Sequence, residues 1–308
     1  MRKTVAIFAA SLCICSAGVS PAAAQDNGSI HSILIPTDPA TMTMGTVSSY
    51  GNPVFAAENN ITAAALMGKK VAAGVSYAMW NADGNMRHVP ALGVAFRIKK
   101  WGIALNAGGY ANNTPYDIYD ETGTPVGSFL PYDAKVSLGA AYAFDFGLAV
   151  GVTVRGIRSA IHPDYSATVG AGDIYAAYNA GRVSATVGVC NIGTPVRYSP
   201  EAKASHLPMI AKAGVNVRPV KGLQVAVEGD CMLNNTSWMI NAGAQYTIMK
   251  IATVRAGYHY NVGGKSAIPS YASVGAGFRF FGFELSGTYI FASPVLRNTF
   301  SAALTCSF

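Results

Sequence analysis

Charge is scarce in this chain: Asp, Glu, Lys and Arg together supply 12% of its 308 residues, about half the share usual in soluble domains. Long hydrophobic runs are missing as well. Past Ala24, no segment offers the roughly 18 uninterrupted apolar residues that a spanning helix needs, which excludes a helical membrane protein. A chain with little charge, a mean hydropathy of +0.28 and no spanning helix has one ready way to live in lipid. That way is a sheet closed on itself.

Cysteine and the residues of catalysis are equally thin. Of the five Cys, Cys13 and Cys15 fall near the start, while Cys190, Cys231 and Cys306 are widely spaced in strand-like runs. The pattern argues against a disulfide framework or a zinc site, and these three read as small apolar fillers. No G-x-S-x-G, H-E-x-x-H, P-loop or C-x-x-C signature follows Ala24, so no enzyme is indicated. His31, His88, His162, His206 and His259 are scattered, and nothing calls for a metal or another cofactor. His259 reads as a lone lumen histidine. Asn81–Asn85 looks oxygen-rich like a calcium loop but lacks the later acid, so a hairpin turn is expected. A net charge of +7, with no long basic cluster, marks no nucleic-acid partner.

What is present begins with a leader. Arg2 and Lys3 precede a largely apolar run from Thr4 to Val19, and small residues follow at Pro21 to Ala24. This is the layout of a signal peptide over 1–24 with cleavage after Ala24. At the other end, Phe300, Ala302, Leu304, Cys306 and Phe308 share one face, and Ser301, Ala303, Thr305 and Ser307 the other. A period of two describes a strand. A closing strand of a barrel needs this form, because it must pair with the first. The terminal Phe308 is similar to the signal that barrel-insertion machinery reads.

Between residues 70 and 308 the chain divides into about fourteen runs of strand length, split by turn residues. Connections alternate between short ones, such as Lys99-Lys100 and Phe281-Gly282, and long ones, such as 113–133 and 191–208. Short turns on a periplasmic side, with both termini, and longer outer loops are expected of a transmembrane antiparallel β-barrel. The all-β barrel is therefore assigned to 69–308, with outer-membrane lipid as its surround. Charges keep to one parity, since a basic residue facing mid-bilayer costs about 2–4 kcal/mol. The inward set includes Arg97, Lys99, Lys135, Arg155, Lys212 and Arg218, with Glu228, Asp230, Arg255, Arg279 and Glu284. Arg97, Arg155, Lys212, Glu228, Asp230, Arg255, Arg279 and Glu284 form the candidate lumen network. Trp80, Trp101, Tyr110, Trp238, Tyr260, Tyr271 and Tyr289 are expected in aromatic girdles.

Residues 25–68 lack steady alternation and are expected to fill the barrel or its mouth as a plug. Met42, Met44, Phe55 and Leu66 would line a greasy site there, or pack the plug. Two stretches go beyond a generic barrel. One runs from Ile35-Pro36-Thr37-Asp38-Pro39 to Met42-Thr43-Met44-Gly45, ahead of a strand ending in Met79-Trp80. The other is Gly188 to Pro195, with Asn191-Ile192-Gly193, then His206-Leu207-Pro208. In this order they resemble the PorV/PorQ family of outer-membrane proteins, itself similar to FadL-type fatty-acid channels. Where members commonly carry Asn-Pro-Ala, this chain reads Asn60-Ile61-Thr62. The resemblance implies a barrel of about fourteen strands with a lumenal N-terminal segment. It also implies a role with the type IX secretion system, through secretion-system subunits or exported cargo, with the loops 113–133 and 191–208 as partner surfaces. A FadL-like channel for hydrophobic small molecules is the alternative it implies.

Overall fold

A computed structural model describes residues 29–308 apart from Asp83, Lys265 and Pro294. The leader expected over 1–24 lies outside the described residues. The first strands are β1 (Val71–Ala82), β2 (Asn85–Ile98), β3 (Trp101–Asn112), β4 (Tyr116–Tyr119), β5 (Pro125–Phe129) and β6 (Tyr132–Ala143). Next come β7 (Leu148–His162), β8 (Tyr165–Ala180), β9 (Val183–Gly193), β10 (Ile210–Val217) and β11 (Leu223–Met232). The last are β12 (Trp238–Ile248), β13 (Ala252–Asn261), β14 (Tyr271–Phe280), β15 (Phe283–Phe291) and β16 (Thr299–Ser307). All except β4 and β5 join in one closed antiparallel barrel of 14 strands. No helix among the described residues is long and apolar enough to cross a membrane.

Closure is made at the seam the terminal strand was built for. β16 pairs with β1 from Ser307 opposite Ala72 to Phe300 opposite Met79. The Phe308 N–H donates to the Val71 carbonyl at 2.9 Å, and its own carbonyl accepts from the Lys70 and Val71 amides at 2.7 and 3.0 Å. Each strand of the barrel thus has a neighbour on both sides, which is what lipid demands of a sheet. Period-two alternation then sorts the faces. On β7, Val154 is 62% exposed on the outer wall while neighbouring Arg155 is 5% exposed inside.

Three details depart from the sequence reading. Lys99, expected in the lumen, sits exposed at the β2–β3 turn with a φ of 57°. The loop 113–133 carries the two-stranded β4–β5 hairpin, whose strands are too short to alternate legibly. Trp80, Tyr110 and Tyr271 leave the expected girdle and pack inside the barrel, with Tyr271 0% exposed. The parity of Ser273 and Arg279 already places Tyr271 inward; reading it by its aromatic character put it on the wrong face. Asn81–Asn85 is the β1–β2 hairpin, with Ala82 opposite Asn85.

The N-terminal segment threads the lumen through short helices at Pro39–Thr43, Ala56–Asn59 and Thr62–Leu66. Irregular backbone at membrane depth must be satisfied by protein, and the wall supplies the partners. Asn106 accepts from the Ala57 N–H at 2.9 Å and donates to the Val54 carbonyl at 2.8 Å. The Glu228 carboxylate accepts from the amides of Ser48 and Ser49, at the start of the 3₁₀ turn Ser48–Tyr50. Asp38 caps the Pro39–Thr43 helix through the Thr41 amide at 3.0 Å. Glycines make the close fit possible. A Cβ on Gly102 would lie 2.1 Å from the Ala65 nitrogen, and one on Gly257 would lie 2.1 Å from the Thr43 oxygen. These glycines are required by contact, not by backbone angle.

Glu58 is the plug's charged anchor. Its carboxylate meets Lys135 Nζ at 2.5 Å and Arg155 Nε at 3.9 Å, and accepts from the Ser137 hydroxyl at 2.6 Å. Burial pushes the Glu58 carboxyl up, but Lys135 and Arg155 outweigh it and hold the group at about 2, below its ordinary 4.5.

Two outcomes follow from these contacts. Gly257→Val should unseat the plug by overpacking, at about 1–3 kcal/mol, whereas Gly170→Ala, with open space around its Cβ, should be neutral. Heat-induced gel-mobility shifts and proteolysis of 29–68 measure both; equal behaviour of the two variants would refute the contact argument. Because the Glu58 pKa is depressed by folding, its stabilisation is fully present above about 4.5 and is lost as pH falls through about 2. Glu58→Gln should cost about 3–5 kcal/mol at neutral pH and flatten the acid limb of an unfolding titration over that window.

Candidate functional site

Two lumenal regions and one patch of wall stand out. One lumenal region is rich in charge. Arg155 donates to Asp173 at 2.9 Å and to the Asn191 side-chain oxygen at 2.8 Å. Lys212 lies 3.7 Å from Glu228 and 3.4 Å from Asp230. Asn241 links Asp230 to His259, donating to the carboxylate at 2.9 Å and lying 2.7 Å from the imidazole Nδ1. Arg155, Asp173, Asn191, Lys212, Asp230 and His259 border a cavity of about 70 Å³, whose other walls are Thr37, Thr41 and Ser48 and the apolar Ile35, Ile210, Met239 and Ile268. The buried Thr37 Oγ1, Asp230 Oδ1 and His259 Nε2 have no protein partner and belong to residues lining that cavity. At that volume it suits a few waters and is too small for a hydrocarbon.

Beside it, at the end of the barrel away from Lys70 and Phe308, the lumen turns apolar, and His259 stacks on Tyr271 at 5.3 Å between ring centroids. Met42 and Ile35 of the plug pack with Trp80, Val89, Tyr271, Ile290 and Leu296 of the wall. Trp80 meets Tyr271 edge-on at 6.4 Å between ring centroids, a favourable aromatic arrangement.

The wall beside this cluster is interrupted, while its register is kept. β2 pairs with β3 from Ile98–Trp101 to Ala91–Gly108 and again at His88–Ala111 and Arg87–Asn112. Between them Val89 and Pro90 lie opposite Tyr110 and Gly109 without pairing. Pro90 has no N–H to give, and Gly109 has no side chain to fill the outer surface. On the outside, an apolar groove of about 640 Å³ runs over Val75, Tyr77, Pro90, Leu92, Gly109 and Leu304. The inner cluster and the outer groove thus face each other across Val89 and Pro90.

The candidate network divides into separate groups. Arg155 pairs with Asp173 and Glu58, and Lys212 with Glu228 and Asp230, around the polar cavity. Arg255, Arg279 and Glu284 form a separate trio near the terminus end, with Glu284 2.8 Å from Arg255 and 2.5 Å from Arg279. Arg97 stands apart and donates to the Met67 carbonyl at 2.5 Å. Met42, Met44, Phe55 and Leu66 do not share a site. Met42 belongs to the cluster around Trp80, Met44 packs with Val47 and Ala226, and Phe55 packs with Ile61 and Ala95. Leu66 borders an opening at the terminus end. Glu58 and Asp173 escaped the sequence reading: Glu58 lies in a segment without periodicity, and Asp173 stands alone among small residues. Pro90 was visible within a strand-like run and was the one signal for the wall.

No family model matches the sequence, and no curated protein matches it. Solved structures do. The Pseudomonas putida toluene transporter TodX is 10% identical with a TM-score of 0.63, covering 87% of this chain and 96% of its own. The Ralstonia pickettii toluene transporter TbuX is 11% identical with a TM-score of 0.59, covering 88% of this chain and 98% of its own. A Pseudomonas aeruginosa FadL homologue is 12% identical with a TM-score of 0.61, covering 89% of this chain and 99% of its own. At these identities the likeness establishes one thing: the chain has the FadL-type barrel fold.

Proposed function

We propose that the protein is an outer-membrane channel of FadL-like kind that admits small apolar molecules, held here in a closed state. The observation that carries this reading is the juxtaposition at Pro90. An apolar groove on the lipid face and an apolar cluster in the lumen meet across a stretch of wall with no β2–β3 pairing. A polar solute would gain nothing from such a path, whereas a molecule already dissolved in the bilayer would enter it without crossing water. The TodX, TbuX and FadL-homologue likeness supports the same class. Among the described residues no catalytic constellation competes with it. Short turns and both termini would face the periplasm.

The secretion-associated reading of PorV/PorQ type has one observation behind it. The β4–β5 hairpin exposes Tyr119 at 59% and Val126 at 61%, a surface suited to contacts with secretion-system subunits or cargo. It does not account for the groove or the interrupted wall.

Uptake of a radiolabelled monoaromatic hydrocarbon by cells whose outer membrane carries the protein tests the channel. Cells with wild type should exceed cells lacking it, and Gly109→Trp or Ala302→Trp, which fill the groove, should slow uptake about tenfold, the equivalent of about 1.4 kcal/mol in barrier. Uptake indifferent to both substitutions, or no uptake with normally folded protein, would overturn the proposal. Recovery of a secretion subunit or exported protein on pull-down would then favour the partner reading.

A further inference from the structure

The two ends of the barrel differ in charge. The terminus end carries Lys69 and Lys70 before β1, Lys99 and Lys100 at the β2–β3 turn, and Arg182 at the β8–β9 turn. Lys221 and Lys250 occupy the β10–β11 and β12–β13 turns. The only acid in these turns is Asp145, which Lys100 engages at 2.5 Å. Among the described residues, Lys69, Lys70, Lys221 and Lys250 are exposed and meet no carboxylate. Opposite, the loops hold Asp117, Asp120, Glu121, Asp164 and Glu201 against Arg197, Lys203 and Arg297.

The basic groups share their turns with exposed apolar side chains. Met249, beside Lys250, is 86% exposed; Val220, beside Lys221, is 59% exposed; Phe281 is 93% exposed and Phe308 59% exposed. Such side chains stand in water at a cost unless something apolar receives them. The combination runs around the circumference, from β1 past β9 and β11 to β13, rather than over one side. A soluble protein partner would cover a sector; a ring of cations with apolar tips fits a plane. Long basic side chains reach headgroups while their stems and the neighbouring rings stay in the acyl boundary.

We propose that this rim is a binding surface for anionic glycerophospholipids, whose phosphate groups it gathers in the leaflet at the terminus end. The inference needs the barrel to span a bilayer but does not depend on what the channel carries. A barrel that fails to transport hydrocarbons could still gather such lipids.

The test is native mass spectrometry of the full-length protein, extracted from bilayers of equal phosphatidylglycerol and phosphatidylcholine. Wild type should retain phosphatidylglycerol about threefold above its share, with the excess falling as ionic strength rises. The combined variant K69Q/K70Q/R182Q/K221Q/K250Q, verified as folded by its gel mobility, should lose the preference. If that variant does not fold, K250Q and K221Q singly should each reduce it. Equal retention of the two lipids by wild type, or a preference insensitive to both salt and these variants, would overturn the proposal. So would salt-sensitive capture of polyglutamate without any lipid preference, which would assign the rim to an acidic soluble partner.

Discussion

Every backbone N–H and C=O placed at membrane depth must find a partner inside the protein, and this one constraint shapes the molecule twice. It closes the sheet, with Phe308 bonded to Lys70 and Val71 so that β1 and β16 have no free edge. It also governs the plug, whose short helices and turns cannot satisfy themselves. The wall answers with side chains aimed at plug backbone: Asn106 at Val54 and Ala57, Glu228 at Ser48 and Ser49, and Ser273 at the Thr43 carbonyl at 3.0 Å. Polar residues on the lumen face are therefore structural partners before they are a pore lining.

The charged groups obey the same economy. Four buried carboxylates of the lumen have a cation within reach: Glu58 has Lys135, Asp173 has Arg155, and Glu228 and Asp230 share Lys212. A pair of this kind adds little net stability over apolar packing, but removing one partner leaves a buried charge alone at a cost of about 3–5 kcal/mol. The arrangement consequently specifies one seating of the plug more than it strengthens the barrel. Alternative registers of the segment against the wall would strand Glu58 among the lumen glycines.

The barrel was legible because lipid enforces a period of two on every strand, and a basic residue in the wrong parity is costly. Val150, Val152 and Val154 against Thr153 and Arg155 say this unaided. Plug contacts were not legible, since neither Glu58 nor the Ala57 amide belongs to a repeating pattern, and their partners lie far along the chain. The lumen glycines were visible only as a high count; their meaning depends on a backbone that approaches from elsewhere. Where sequence reading went astray, at Trp80, Tyr110 and Tyr271, residue type was given precedence over parity, and the sheet obeyed parity.

For the channel proposed above, a route could open in two ways, and their costs differ. Withdrawing the plug would break the Glu58 pair, uncap Ser48 and Ser49 from Glu228, and empty the contacts of Met42 and Phe55. Any one buried charge left unpaired there costs about 3–5 kcal/mol, and deleting buried contacts of large apolar side chains adds about 2–5 kcal/mol each. Parting β2 from β3 beside Pro90 begins from a position where pairing is already absent. Ladder bonds next to the gap are worth about 0.5–1.5 kcal/mol each in water, and more when exposed to lipid. An apolar guest entering there would itself shield the exposed strand from nothing polar but would restore the lost dispersion contacts. On these grounds the proposed channel would open at the wall, with its plug still anchored by charge.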